Sequence, residues 1–262
     1  MTPTESTMED RPTDAERYSA IHTDGLTKAY SETIAVEELD LEIETGTIYG
    51  LLGPNGAGKT TTIRLLTGLS PPTDGSARVG GVPVGDREAL VDHIGYLPES
   101  PPIRGQFTGR EQLEYHGQLR DMAPRKIDGR IEELRERLEL DAVDDRIVTY
   151  SKGMRRKTGV IQAIMHEPSV VFLDEPTAGL DPRATRTVRE VITELADNGT
   201  TVFLSTHILP IIEAVADRVG ILNEGEILTE GSPEELVKCI EGDDPTLEDV
   251  FLSVTADPEL ET

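Results

Sequence analysis

A single cysteine, Cys239, occurs in 262 residues, so no disulfide can close within the chain, in keeping with a reducing compartment. No apolar run approaches the roughly 20 residues that a helix needs to cross a bilayer. The opening stretch, MTPTESTMEDRPTDAER, has no apolar segment of the secretory kind. Basic residues are scarce: 25 against 50 acidic ones, for a formal net charge of -25. That balance offers no basic footprint for nucleic acid. Lysine is scarcer still, with 6 lysines beside 19 arginines. The charge fits a host with a very salty cytoplasm, where ions screen the self-repulsion. With 36% hydrophobic residues the chain has the means to fold, and its length suits one generous α/β domain. The expectation is a soluble, intracellular protein.

Along the chain, residues 1–17 read as a disordered acidic tail, and regular structure begins near Ile21. Residues 47–52 form an apolar, strand-like run ending in a glycine-rich turn. Thr61, Thr62, Ile63, Leu65 and Leu66 then suit a helix, so the order is that of an opening βαβ unit. Residues from about 107 to 166 differ: Ile131, Leu134 and Leu138 keep helical spacing, and Leu113 with Leu119 suggests another helix. This stretch reads as a helical subdomain inserted between core strands. A continuous apolar run at residues 170–174 predicts a parallel strand buried on both faces. Asp181 followed by Pro182 predicts a helix start, with Val188, Val191, Ile192 and Leu195 as its buried stripe. Further strands are expected at 201–205 and 218–222, then a hairpin through Asn223, Glu224 and Gly225. Ser232, Pro233 and Glu235 form a capping box. Residues 241–262 are set down as a C-terminal tail.

Gly53-Pro54-Asn55-Gly56-Ala57-Gly58-Lys59-Thr60, followed by Thr61, has two glycines flanking four residues, then Lys and Thr. The glycines let consecutive N–H groups turn toward an anion, and the next helix adds its positive end. Lys59 suits the outer phosphates, and the Thr60 hydroxyl suits Mg2+. A chance glycine-rich turn is the plainer alternative, and the strand before it and helix after it count against that. The pattern points to a nucleotide without choosing among ATPase, GTPase and kinase. Asp174 and Glu175 end the apolar run at 170–174, at the carboxyl edge of a parallel sheet, where ligands sit in open α/β folds. Neighbouring strand residues point oppositely, so Asp174 can hold the metal while Glu175 activates water as general base. A polar strand end leading into a turn is the bland alternative.

With both motifs in place, residues from about 20 to 230 resemble the ATP-binding subunit of ABC transporters. The resemblance implies a P-loop NTPase core with a mainly parallel sheet, an N-terminal antiparallel β portion and the inserted helical subdomain, the ATPase domain spanning residues 18–240. It implies that Tyr30 stacks on adenine, and that ATP and Mg2+ are bound. Tyr150-Ser151-Lys152-Gly153-Met154 occupies the place of the signature LSGGQ, matching it at Ser151 and Gly153 and departing from it at Tyr150, Lys152 and Met154. Ser151 and Gly153 are then expected to touch the ATP of a second copy in a head-to-tail dimer. Ala178-Gly179-Leu180-Asp181 resembles the loop lining that interface, and His207 the switch histidine that senses the γ-phosphate. Glu99 stands where the family has a metal-touching glutamine, adding negative charge near the phosphates. Glu99, the Ser-Lys-Gly-Met signature and the stretch Leu247-Glu248-Asp249-Val250-Phe251-Leu252 resemble the exporter branch for drugs, antibiotics or sodium. The implied partners are a membrane-spanning permease subunit and a second ATPase copy, with the chain cytoplasmic and peripheral on the inner face of the membrane. The competing reading is a soluble ABC-type ATPase acting on nucleic acid or ribosomes. A signalling GTPase or small-molecule kinase lacks support, because no Asn-Lys-x-Asp motif is present.

Overall fold

A computed structural model describes residues 19–240 and 245–256, so the tail expected at residues 1–17 lies outside the described residues. Strands β1 (Ser19–Tyr30) and β2 (Thr33–Glu44) pair antiparallel across a tight turn at Ser31, whose φ is 53°. Strand β4 (Asp74–Val79) pairs antiparallel with β1, and β5 (Val82–Pro83) extends this four-stranded sheet in the order β2-β1-β4-β5.

The second sheet has six strands: β3 (Ile48–Leu52), β6 (Ile94–Leu97), β7 (Val170–Asp174), β8 (Thr201–Thr206), β9 (Arg218–Asn223) and β10 (Glu226–Gly231). Their order is β10-β9-β3-β8-β7-β6, with all pairs parallel except the edge hairpin β9–β10. That hairpin turns through Glu224 and Gly225, at φ 49° and 92°, as the Asn-Glu-Gly run predicts.

Strand alternation divides the core into two layers. Tyr49, Leu51, Phe172 and Phe203 point toward the antiparallel sheet and pack with Ile21, Leu26 and Val36. Ile48, Leu52, Val171, Leu173, Val202 and Leu204 point the other way, into the layer formed by helices. Helix α1 (Lys59–Leu66) belongs to the first layer through Ile63, Leu65 and Leu66, and α2 (Arg87–His93) joins it at Leu90. Each such fully buried side chain contributes about 1.5–3 kcal/mol of apolar burial, so α1 is fixed at the sheet's carboxyl edge by packing as well as by chain connection.

Between β6 and β7 lie α3 (Gly109–Gln118), α4 (Pro124–Arg137), a single 3-10 turn (Ile147–Thr149) and α5 (Lys152–Ile164). Leu113, Ile127, Ile131, Leu134 and Leu138 meet in the helical layer. Leu119 does not share that stripe: it caps α3 and is 65% exposed. It lies six residues from Leu113, about 120° around a helix of 3.6 residues per turn, so the two cannot share a face.

Helix α6 (Pro182–Asp197) starts as expected, with the Asp181 carboxylate accepting from the Ala184 N–H at 2.9 Å and with Val188, Val191 and Ile192 buried. After α7 (Leu209–Val215), helix α8 (Pro233–Lys238) carries the Ser232–Glu235 capping box. The last described segment is α9 (Leu247–Thr255), capped by Thr246 and Asp249, with Leu247 and Val250 buried in the helical layer. Among the described residues no helix is long and apolar enough to cross a membrane.

Candidate active site

Strand β3 delivers the chain to the loop 53–58, which wraps beneath the start of α1. Gly58 sits at φ 111°, and a Cβ there would overlap the Ala35 carbonyl oxygen of β2. Only glycine meets both conditions. No side chain caps α1, and its first turn holds no acid, so its leading N–H groups remain available to an anion at the positive end of the helix. The Lys59 ammonium is buried and donates to the carbonyls of Gly53 at 2.7 Å and Pro54 at 3.0 Å. Burial pulls its pKa below the usual lysine range, while the charges of Glu175, Asp174 and Glu99 push it back up.

Opposite the loop, β7 ends at Asp174, which is 1% exposed. The Thr60 hydroxyl donates to one of its oxygens at 2.9 Å and the Ser205 hydroxyl to the other at 2.6 Å. Glu175 follows, and here the chain leaves the strand: its φ is 50°, in the left-handed region. The two acids do face different partners, but the cause at Glu175 is this turn and not strand alternation. The Thr206 hydroxyl donates to Glu175 Oε2 at 3.0 Å, and His207 Nδ1 lies 2.7 Å from Oε1. An ionised carboxylate only accepts, so Nδ1 is the donor. A positive φ on a residue other than glycine costs of order 1–3 kcal/mol and persists where its surroundings over-determine it. The two clamped oxygens and the bond from Glu175 N–H to the Ser205 carbonyl supply that constraint.

These groups border one cleft of about 430 Å³, lined by Asn55, Gly56, Gly58, Lys59, Thr60 and Thr61, by Glu99, Asp174, Glu175 and His207, and by Ala35 and Ala178. Of the residues expected from the motifs, Gly53 and Pro54 act from behind, as acceptors for Lys59. Ala57 is buried in the layer below, and its carbonyl accepts from the Gly225 N–H. Tyr30 ends β1 with an exposed ring and the Lys28 ammonium 5.1 Å from its centroid, outside the cleft lining. Ser151 caps α5, accepting from the Met154 N–H at 3.1 Å, and with Gly153 also lies outside the lining.

Ser205 and Thr206 lie outside the sequence motifs that point to a nucleotide. Their signal is the polar run Ser205-Thr206-His207 at the end of an apolar strand, and it gains meaning only from the β7–β8 register, which sets Asp174 opposite Ser205.

The arrangement combines a glycine-rich loop leading into an uncapped helix start, a buried lysine, a hydroxyl–carboxylate pair and a second carboxylate bonded to a histidine. Residues 36–178 match the family described as ABC transporter, and the chain belongs to that family. It is similar to a daunorubicin resistance ATP-binding protein of Streptomyces coeruleorubidus, 40% identical over 228 residues that cover 86% of this chain and 72% of that protein. It is also similar to a bacitracin transport ATP-binding protein of Enterococcus faecalis, 38% identical over 221 residues, 83% of this chain and 71% of that one.

A solved ATP-binding subunit of an ABC transporter superimposes with a TM-score of 0.81 at 26% identity, covering 90% of this chain and all of that one. A dimeric ATP-binding cassette bound to ADP and Pi shares the fold, with a TM-score of 0.75 at 21% identity over 81% of this chain and 98% of that one. The protein is an ATP-binding and ATP-hydrolysing subunit of an ABC transporter. The alternative of an ATPase working on nucleic acid or ribosomes finds no support among these relatives.

Proposed function

We propose that this chain is the motor of an exporter, pairing head to tail with a second copy and docking on a membrane-spanning permease at the inner face of the cell membrane. Relatives named for daunorubicin resistance and bacitracin transport favour export. Solvent-facing Ser151, at the capped start of α5 and away from the cleft of its own chain, favours a site completed by a second copy.

In each copy the loop amides and Lys59 grip the phosphates of ATP, and the exposed Tyr30 ring stacks on adenine. The Thr60 hydroxyl and the Asp174 carboxylate, 2.9 Å apart, together with Glu99 on the same cleft, form an all-oxygen donor set that fits Mg2+. When bound there, the ion offsets phosphate charge. Glu175 accepts the proton of the attacking water, Thr206 and His207 keep its carboxylate aimed, and His207 senses the terminal phosphate. Ser151 and Gly153 present the N-terminal end of α5 to the phosphates held by the other copy.

The observation that carries these roles is the Glu175 clamp: a carboxylate in a strained backbone position, held through both oxygens at the rim of an anion cleft. The test is ATP turnover by the full chain and by Glu175→Gln, with oligomeric state followed by light scattering. The expected result is loss of turnover with ATP binding kept and a shift to dimer; full activity in the variant removes Glu175 from this role. Fractionation of native cells tests the permease: co-purification with a multispanning protein is expected, and a wholly cytosolic distribution argues against docking.

A further inference from the structure

Helix α5 lies along β6 and the loop that follows it on one face, at positions 156, 159 and 163. A Cβ at Gly95 of β6 would overlap the Ala163 carbonyl oxygen. A Cβ added at Gly159 would stand 2.7 Å from Leu97 and 2.8 Å from Pro101, closer than packed carbons approach. The spacing of 3 and 4 residues makes this a single helical stripe, and the approach leaves no room for sliding.

At the cleft end of the stripe the apolar seam gives way to Arg156, 7% exposed, whose two terminal nitrogens donate to the carbonyls of Pro98 at 3.1 Å and Glu99 at 2.7 Å. Burial lowers its pKa, opposed by the charges of Glu99, Asp174 and Glu175. The guanidinium therefore sits in the field of the three acids that border the phosphate cleft. Arg156 and Glu99 also share a second cleft beside Lys152 and Gly179, between the start of α5 and the loop after β7.

We propose that Arg156 is a positioning residue for ATP hydrolysis: it locks the Glu99 backbone to α5 and offsets the Glu99 carboxylate. Glu99 and the Ser151 end of α5 then move as one piece. The inference rests on the placement of Glu99 at the metal and phosphate cleft proposed above. Its chemistry is that of a fork matched to two carbonyls, with a fixed positive charge where a neutral residue at position 99 would not call for one. Removing the fork frees the 98–99 peptides, and removing the charge leaves three carboxylates with less compensation.

The test compares kcat and KM for ATP in the full chain, Glu99→Gln, Arg156→Gln, Arg156→Lys and the double variant Glu99→Gln/Arg156→Gln, with denaturant unfolding of each. Arg156→Gln is expected to lower kcat about tenfold or more, because small displacements of positioned groups are costly to rate. The same change is expected to cost much less when position 99 is already Gln, giving a nonadditive cycle. Arg156→Lys, which keeps charge and loses the fork, is expected to fall between.

The proposal is overturned if Arg156→Gln keeps kcat within about twofold of the parent; a loss of the same fold with Glu or Gln at position 99 overturns the charge offset. Should Arg156→Gln not fold, Arg156→Lys decides alone, since parental kcat in that variant overturns the fork. A Glu99→Gln variant with parental kinetics, beside an impaired Arg156→Lys, sinks the role of Glu99 and leaves the backbone lock standing, so the two failures are distinguishable.

Discussion

Thr206→Val is the sharpest perturbation of the site, because it removes a hydroxyl while keeping side-chain shape. Thr206 is fully buried, and its oxygen both donates to Glu175 Oε2 at 3.0 Å and accepts from the Ile208 N–H at 3.1 Å. Valine fills the same volume, so no cavity term enters, and the loss is one hydrogen bond to a charged group and one to a backbone donor. A bond of the first kind contributes about 1.5–3 kcal/mol and one of the second about 1 kcal/mol. Glu175 keeps its His207 partner at 2.7 Å, and the two lost bonds together give an expected destabilisation of about 2.5–4 kcal/mol.

The catalytic effect follows from the same geometry. With one arm gone, the carboxylate turns about its remaining contact, and kcat is expected to fall on the order of 10- to 100-fold. KM is expected to hold, because Thr206 does not line the cleft. Steady-state ATPase assays paired with denaturant unfolding measure both. A variant with parental kcat and a full loss of stability would show that Thr206 supports the fold and not the aim of Glu175. A raised KM with parental kcat would place it in ground-state binding.

Gly58→Ala forces a Cβ against the Ala35 carbonyl at a φ of 111°; nucleotide binding, followed by fluorescence or calorimetry, is expected to be lost, at a stability cost of about 1–3 kcal/mol or more. Lys59→Met, which removes the buried cation facing three acids, is expected to abolish ATP binding while unfolding remains cooperative. Burial lowers the pKa of His116 to about 4 and of His166 to about 3, so as pH falls below 6.5 the unfolded chain takes up protons that the folded chain refuses. Stability therefore drops between pH 6.5 and about 4, by up to about 1.4 kcal/mol per pH unit and histidine, and denaturant midpoints measured in the His116→Gln/His166→Gln variant should show a shallower slope. At a net charge of -25, melting temperature is expected to fall as molar KCl is dialysed away; a melting temperature indifferent to salt would refute the screening argument.

What was legible in the sequence is what depends on near neighbours. The loop 53–60 declares itself because a tight turn, a free helix start and a lysine must occur within eight residues. Asp181 with Ala184, and Ser232 with Glu235, are caps whose partners lie three residues away. Strand β7 shows as an apolar run from Val170 to Leu173 because both faces are covered. The adjacent acids at a strand end were legible as Asp174 and Glu175, but the left-handed turn at Glu175 that gives them different partners was not.

The tertiary structure decided what distant segments do to one another. Ser205 and Thr206 acquire their roles from a parallel register with a strand 31 residues earlier. Gly95, Arg156, Gly159 and Ala163 form a seam only because α5 is pressed on β6. The stretch 247–255 becomes a docked helix because the helical layer offers a place for Leu247 and Val250. The reason is physical: local geometry is set by backbone sterics and neighbouring side chains, whereas register and close packing are set by which surfaces meet when the whole core excludes water.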